Sequence, residues 1–318
     1  MGQSSSSESH ESGLDLLIQI KAKNSTKLLD LNFQMTDKIS SGAFGSVFIA
    51  NDRETKKIYA VKIFHTSAKA APKDTRAFRN EATTLKATKH PNIIKYFAHG
   101  TSNILGRNRQ YLLTEFCDLG SLNSLIKSSR SKNTGKPTDM QFIDTFCQNI
   151  SQAIFYIHDE LQKLHLDIKP ANILLATRGP KSPEVNTSPG DFSADRVIFK
   201  LGDFGCCQRI KNATSFPFSP PHSSPEVIKG EVGMISTTSD VFSFGATLFE
   251  LSTLQNPIEP VQGPQGHEVI VPREVRFALP PSLNPKLRRL CLLCLKDDPS
   301  GRLDTKDLVS HISTMHLI

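Results

Sequence analysis

The segment SDVFSFGATLFELSTL, residues 239–254, is apolar almost all the way round a helical wheel, so it reads as a helix buried at the centre of a lobe rather than on a surface. Three further segments carry apolar residues at helical spacing. MQFIDTFCQNISQAIFYIHDEL keeps the pattern for about 20 residues, too long and too periodic for a strand. KLRRLCLLCL and TKDLVSHISTM are shorter amphipathic helices. From Ser121 onward helices dominate.

The stretch from Phe33 to Glu115 has another character. VFIAND, IYAVKIF, NIIKYFA and YLLTEF read as strands, with a single helix from about Asp74 to Lys89 that stops before His90-Pro91. The sequence therefore predicts an α+β chain: a β-rich lobe over 33–114, a hinge at 115–120 and a mainly helical lobe over 121–314. A cleft between two lobes is where ligands favour binding. Residues 1–32 form a tail whose Ser/Glu/Gly-rich start cannot bury enough apolar surface to order itself. Residues 177–196, rich in Pro, Gly, Ser and Asp, read as a flexible insertion between the strands ANILLA and VIFKLGDF. With 318 residues and 38% hydrophobic content, the chain can bury one large core or two modest ones.

Composition excludes several classes. The net charge of +7 is mild and spread along the chain, with no dense basic block interleaved with aromatics, so nucleic acid is not an expected partner. No run approaches the roughly 18 apolar residues of a membrane span, and the N-terminus lacks the apolar core of a signal peptide. Cys291 and Cys294 make a C-x-x-C, but inside an apolar helical run and without a second ligand pair; they read as buried thiols. That fits a reducing cytoplasm or nucleus.

Four short patterns carry chemistry, in order along the chain. Ser40-Ser41-Gly42-Ala43-Phe44-Gly45-Ser46-Val47 is a glycine-bearing turn whose backbone amides can approach phosphate oxygens. Ala60-Val61-Lys62 places a lysine inside a strand, and Glu81, in the following helix, is placed to pair with it. His165-Leu166-Asp167-Ile168-Lys169-Pro170-Ala171-Asn172-Ile173-Leu174 is decisive. Phosphoryl transfer to a hydroxyl needs a carboxylate to take the proton, a cation on the transferring phosphate and an amide oxygen to hold metal. Asp167, Lys169 and Asn172 supply these at i, i+2 and i+5. Lys200-Leu201-Gly202-Asp203-Phe204-Gly205 follows, with an aspartate suited to bridging a metal to phosphates.

Together these residues resemble the protein-kinase signature set over about residues 33–314. Ser224-Pro225-Glu226 stands where kinases carry Ala-Pro-Glu, and Arg302 where they place the arginine that pairs with that glutamate. The resemblance implies a bilobal protein-kinase-like fold that uses ATP and Mg2+. It implies Asp167 as catalytic base, Lys169 on the γ-phosphate, and Asn172 and Asp203 as metal ligands. Lys62, held by Glu81, would contact the α/β-phosphates under the Ser40, Gly42 and Gly45 loop. Val47, Ala60 and Leu174 would sandwich the adenine beside Thr114, Glu115 and Cys117. His165, Phe204 and Leu85 would stack as an internal spine.

The departures matter as much. Leu166 replaces the arginine that usually gathers a phosphate on the activation segment, here Asp203 to Glu226, so phosphorylation at Thr214 or Ser215 is not expected to be required for activity. Ser219 takes the place of a threonine that contacts the catalytic Asp and Lys, while Phe218 and His222 replace a usual glycine and tyrosine. His-Leu-Asp with Gly-Ala-Phe-Gly-Ser-Val-Phe looks similar to the Wee/Myt group, which modifies the glycine loop of cyclin-dependent kinases; His-Leu-Asp also occurs in Mos-like kinases. Protein substrates are the expected partners, on Ser/Thr, with Tyr as the alternative acceptor. The rival from another class is a pseudokinase scaffold. Met1-Gly2-Gln3-Ser4-Ser5-Ser6 also fits the N-myristoylation pattern, which would add peripheral membrane contact with help from Lys21, Lys23 and Lys27.

Overall fold

The computed structural model describes residues 16–24, 27–42, 44–65, 72–104, 106–131, 139–178, 194–214, 221–257, 261–262, 268–269 and 279–315. Gly2, Ser215, Phe218, Ser219, the centre of the 177–196 insertion and most of residues 255–278 lie outside them.

In chain order the elements are β1 (Leu16–Asn24), β2 (Lys27–Ser41), β3 (Gly45–Asp52), β4 (Ile58–Phe64), α1 (Pro72–Ala87), β5 (Tyr96–Ile104) and β6 (Arg107–Glu115). Then come α2 (Leu122–Ser131), α3 (Met140–Asp159), β7 (Lys163–Leu164), β8 (Ile173–Thr177), β9 (Val197–Leu201) and β10 (Gln208–Arg209). The chain continues through α4 (Pro225–Lys229), α5 (Thr237–Thr253), β11 (Val261–Gln262), β12 (Glu268–Val269), α6 (Pro285–Cys294) and α7 (Thr305–Met315). This is the expected α+β composition, with a β-rich part followed by a helical part.

The residues group into two units: Met1–Phe78 with Tyr96–Phe116, and Arg79–Lys95 with Cys117–Ile318. The first holds a six-stranded antiparallel sheet in the order β1-β2-β3-β4-β6-β5. Its core gathers Met35, Ala50, Val61, Ile63, Tyr111 and Leu113. Strand pairing begins at Leu16, ahead of Phe33, where the sequence reading starts the β-rich lobe. Ile18, Ile20 and Ala22 alternate with Gln19, Lys21 and Lys23, a short period-2 run of the kind a strand carries.

The second unit takes in 79–95, which the sequence reading assigns to the β-rich lobe. Local bonds give the reason. Asn80 Nδ2 donates to the Cys207 carbonyl at 3.2 Å and Asn92 Nδ2 to that of Phe199 at 3.1 Å. Ile94 N donates to Leu201 O at 3.0 Å. For the same reason the predicted strand NIIKYFA forms only from Tyr96 onward. Helix α1 runs from Pro72 rather than Asp74, because proline at a first helical turn has its φ preset and loses no needed N–H.

The α5 helix is buried along Ser239 to Ser252, as its all-round apolarity requires. Phe146 of α3 stacks on Phe244 with ring centres 5.6 Å apart. Gly245 lets α6 approach: a Cβ there would lie 2.5 Å from that of Cys294. Cys291 and Cys294 are accordingly packing residues, and burial pushes the Cys291 thiol up to about 12. All six cysteines are buried. Among the described residues no helix is long and apolar enough to cross a membrane.

Candidate active site

In the first unit, the β2–β3 hairpin holds the glycine turn. Ser40 pairs with Val47, Gly42 N donates to Gly45 O at 2.8 Å, and His65 N donates to Phe44 O at 3.0 Å. Gly45 is a steric necessity, since a Cβ there would collide with the Ile63 carbonyl of β4. Ser40 and Gly42 are exposed. The sheet then lines up the other expected residues: Val47 faces Lys62 across β3–β4, and Ala60 faces Thr114 across β4–β6. Lys62 is half-buried, with Nζ 5.2 Å from the centre of the Phe64 ring two residues along the same strand face. Glu115 ends β6.

The remaining residues belong to the second unit. Glu81 sits on α1 with 2% of its surface exposed. Cys117 opens a segment laced along β8: Leu119 N donates to Leu175 O at 3.1 Å, Leu175 N to Gly120 O at 2.8 Å, and Ser121 bridges Leu174. Cys117 and Leu174 are thereby held on neighbouring strands of chain.

The structure brings Asp167, Lys169 and Asn172 together. A short 3-10 turn, Pro170–Asn172, folds the loop back, with Asn172 N donating to Lys169 O at 2.9 Å. Asp167 Oδ1 accepts from Lys169 Nζ at 2.9 Å, and its Oδ2 from Asn172 Nδ2 at 2.8 Å. The same Nδ2 reaches the Asp167 carbonyl at 2.7 Å. With its nitrogen turned to Asp167, the Asn172 amide directs its oxygen the other way. Its backbone carbonyl accepts from Gly202 N at 2.8 Å, which ties this loop to the residue before Asp203.

Asp203 itself adopts φ 57° and ψ 76°, a left-handed conformation that aspartate tolerates better than most residues. Its Oδ1 accepts from Gly205 N at 3.4 Å. The Phe204 ring meets His165 edge-on at 4.9 Å. The backbone N–H of Asp167 donates to His165 Nδ1 at 3.3 Å, so Nε2 carries the proton given to Gly202 O at 3.1 Å. Burial holds His165 below its ordinary pKa, which keeps this neutral tautomer.

Two residues that organise this loop carry no role in the sequence reading. Asp240 of α5, fully buried, accepts the backbone N–H of His165 at 2.7 Å and of Leu166 at 2.8 Å. His158 of α3 donates from Nε2 to the same carboxylate at 2.8 Å. Burial pushes Asp240 up, but His158 and the loop amides outweigh it and hold the carboxyl below its usual range. An acid inside an all-round apolar helix was the available signal, because a buried charge must be paired.

Glu226 and Arg302 form the expected pair, both buried, through two bonds of 2.8 Å. Leu166 is 7% exposed and lies in an apolar cluster with Leu164, Val227 and Ile235, against which Ile210 and Ala213 pack.

The protein kinase domain model matches residues 33–312. The chain is 28% identical to MAP3K epsilon protein kinase 2 of Arabidopsis thaliana over 90% of its own length and 19% of that protein. It is 28% identical to cytokinesis protein sepH of Aspergillus terreus, over 98% of this chain and 20% of that one. The serine/threonine-protein kinase Nek1 of Toxoplasma gondii is 28% identical over 85% of this chain and 16% of its own. The chain thus spans about a fifth of the length of these relatives. With that match across most of its residues, and with the loop geometry described above, the chain belongs to the protein kinase domain family.

Proposed function

We propose that this chain transfers the γ-phosphate of ATP to serine or threonine hydroxyls of protein substrates. The observation that carries the reading is the Asp167 carboxylate, braced by Lys169 on one oxygen and Asn172 on the other. So held, Asp167 accepts the hydroxyl proton and orients the nucleophile, while Lys169 offers positive charge to the phosphate. Lys62 lies on the strand beside the glycine turn, where a fixed ammonium serves the α/β-phosphates. Val47, Ala60, Thr114, Glu115, Cys117 and Leu174 are assigned to the nucleotide base.

Asp203 and the Asn172 amide are hard oxygen donors, the chemistry a magnesium ion takes together with substrate phosphates. Among the described residues no cluster of three or more His, Cys, Asp or Glu forms a protein-only metal cage, which suits an ion held jointly with substrate. When bound, such an ion neutralises developing charge on the phosphates. Asp203 and Asn172 would hold it.

The kinase names of the relatives support serine/threonine acceptors. The narrower Wee/Myt reading, with an acceptor in the glycine loop of a cyclin-dependent kinase, rests on the His-Leu-Asp and Gly-Ala-Phe-Gly motifs, whereas the relatives named above are MAP3K-, sepH- and Nek-type proteins. We therefore hold the broader class. Phosphate transfer to a panel of intact proteins, compared between wild type and Asp203→Ala, is the test. Equal inactivity of the two would leave the scaffold reading standing. Labelling restricted to a cyclin-dependent kinase glycine loop would favour the narrower one.

A further inference from the structure

Lys163 stands where two local rules are broken. It is half-buried in β7, the two-residue strand that leads into the catalytic loop, and a cation taken out of water needs a partner. Directly opposite it in the β7–β10 pair is Arg209, and like charges facing each other across strands repel. Burial lowers the pKa of Lys163 from the ordinary lysine value, and Arg209 adds to this. A sequence keeps such a conflict where something is gained by it.

The gain is a bond to α1. Lys163 Nζ donates to Thr84 Oγ1 at 2.5 Å. Thr84 is 1% exposed, and its hydroxyl gives its own proton to the Asn80 carbonyl at 2.6 Å. Asn80 Nδ2 in turn donates to the Cys207 carbonyl at 3.2 Å, just past Gly205. Asn80 and Thr84 are about one helical turn apart, so α1 is tied at two points, to β7 and to the chain that follows Asp203. Glu81 lies between these points on the same helix.

We propose that Lys163 is a positioning residue for the transfer reaction: its bond to Thr84 holds α1, and Glu81 on it, in register with Asp167 and Asp203. The proposal rests on the phosphate-transfer reading given above. Lys163 precedes His165-Leu166-Asp167 in the same stretch of chain, so the bond joins the helix of Glu81 to the loop of Asp167 by a short path. An ammonium-to-hydroxyl bond is charge-assisted and directional, which apolar contact in the same place is not. It therefore sets the rotation and depth of α1 as well as covering it. Glu81 is the residue assigned to hold Lys62, and a misplacement of about 1 Å in such a group can cost about a hundredfold in rate.

The contrary reading is that the pair only fills space. The experiment uses the full chain with Lys163→Met, Thr84→Val, the two together, and Thr84→Ser. Lys163→Met keeps the aliphatic stem and removes the ammonium. The double variant replaces both partners by apolar groups of similar shape and is expected to melt with wild type. Its kcat on a protein substrate is nevertheless expected to fall at least about tenfold, because the directional bond is gone. Thr84→Ser keeps the hydroxyl and is expected to stay within about threefold of wild-type kcat. Hydrogen exchange at the amides of 79–87, read without nucleotide, is expected to be about tenfold faster in the double variant. A double variant with wild-type kcat would show space filling and overturn the proposal. So would a double variant that melted early and lost activity in proportion, an equal loss in Thr84→Ser and Thr84→Val, or unchanged exchange along α1. A wild type that transferred no phosphate would overturn the functional reading and this proposal with it. An active wild type matched by an active double variant overturns this proposal alone.

Discussion

Asp240 accepts the backbone N–H of Leu166 at 2.8 Å, and Leu166 stands at φ 62°, a left-handed conformation that a leucine reaches only when held. Such a conformation costs about 1–2 kcal/mol for a residue with a Cβ. The carboxylate offsets it by taking Leu166 on one oxygen and both His165 N and His158 on the other. Asp240→Asn keeps the volume but turns an NH2 toward an N–H donor. It is expected to lower unfolding free energy by about 3–5 kcal/mol, as when one partner of a buried charged network is removed. Turnover should fall with it. Urea denaturation midpoints and kcat check this; a variant as stable as wild type would show that the loop does not depend on Asp240.

Arg302 spends its donors on fixed acceptors: both Glu226 oxygens, Thr238 O, Asp297 O and Lys296 O. Glu226 also accepts from Ser239 Oγ at 2.6 Å, and these bonds outweigh burial and keep its carboxyl below the usual range. Arg302→Met should cost about 3–5 kcal/mol, because it strands a buried carboxylate. Glu226→Met combined with Arg302→Met should be milder than the sum of the two single changes, since no unpaired charge remains. A thermodynamic cycle with simple additivity would refute the coupling.

Leu166 lies among Leu164, Val227 and Ile235, so an arginine at this position would put a guanidinium into an apolar site. Leu166→Arg is expected to lose at least about 2 kcal/mol of stability. Leu166→Met should lose less than about 1.5 kcal/mol. Basal activity should follow the same order, measured on protein kept free of phosphate. If Leu166→Arg proved fully stable and active, apolar packing would not be what holds this segment.

The grouping of Asp167, Lys169 and Asn172 was legible because their short spacing in the sequence lets them meet in one turn. The helices α3, α6 and α7 were legible from periodicity, and α5 from its all-round apolarity. What stayed hidden depends on distant partners. Asp240 reaches Leu166 across 74 positions of sequence and His158 across 82. No local pattern marks Lys163 as the residue that would hold Thr84. Glu81 is buried on the part of α1 that groups with Cys117 and the residues after it, a grouping supported by the long-range bonds of Asn80, Asn92 and Ile94.

His165 gives the loop a pH dependence with a defined sign. Burial lowers its folded pKa below the model-peptide value of 6.5, so below that pH the unfolded chain takes up a proton that the folded chain resists. Stability from this group is therefore full above 6.5 and falls as pH drops through the window between 6.5 and the lower folded value. His90, also lowered by burial and by Lys200, adds a slope of the same sign. Asp240 acts elsewhere: its contribution is present above 3.8 and disappears only as pH falls through its still lower folded value. Between about pH 5 and 7 the histidines thus dominate. Protonating Nδ1 would also break its bond from Asp167 N, so kcat should decline only at the acid end of this window, as pH falls through the lower folded value. His165→Phe keeps a ring against Phe204 but cannot titrate. It is expected to be less stable at neutral pH and to show a flatter melting-temperature profile, with only the His90 share remaining. An unchanged slope would mean that His165 is not the group that loosens the loop in mild acid.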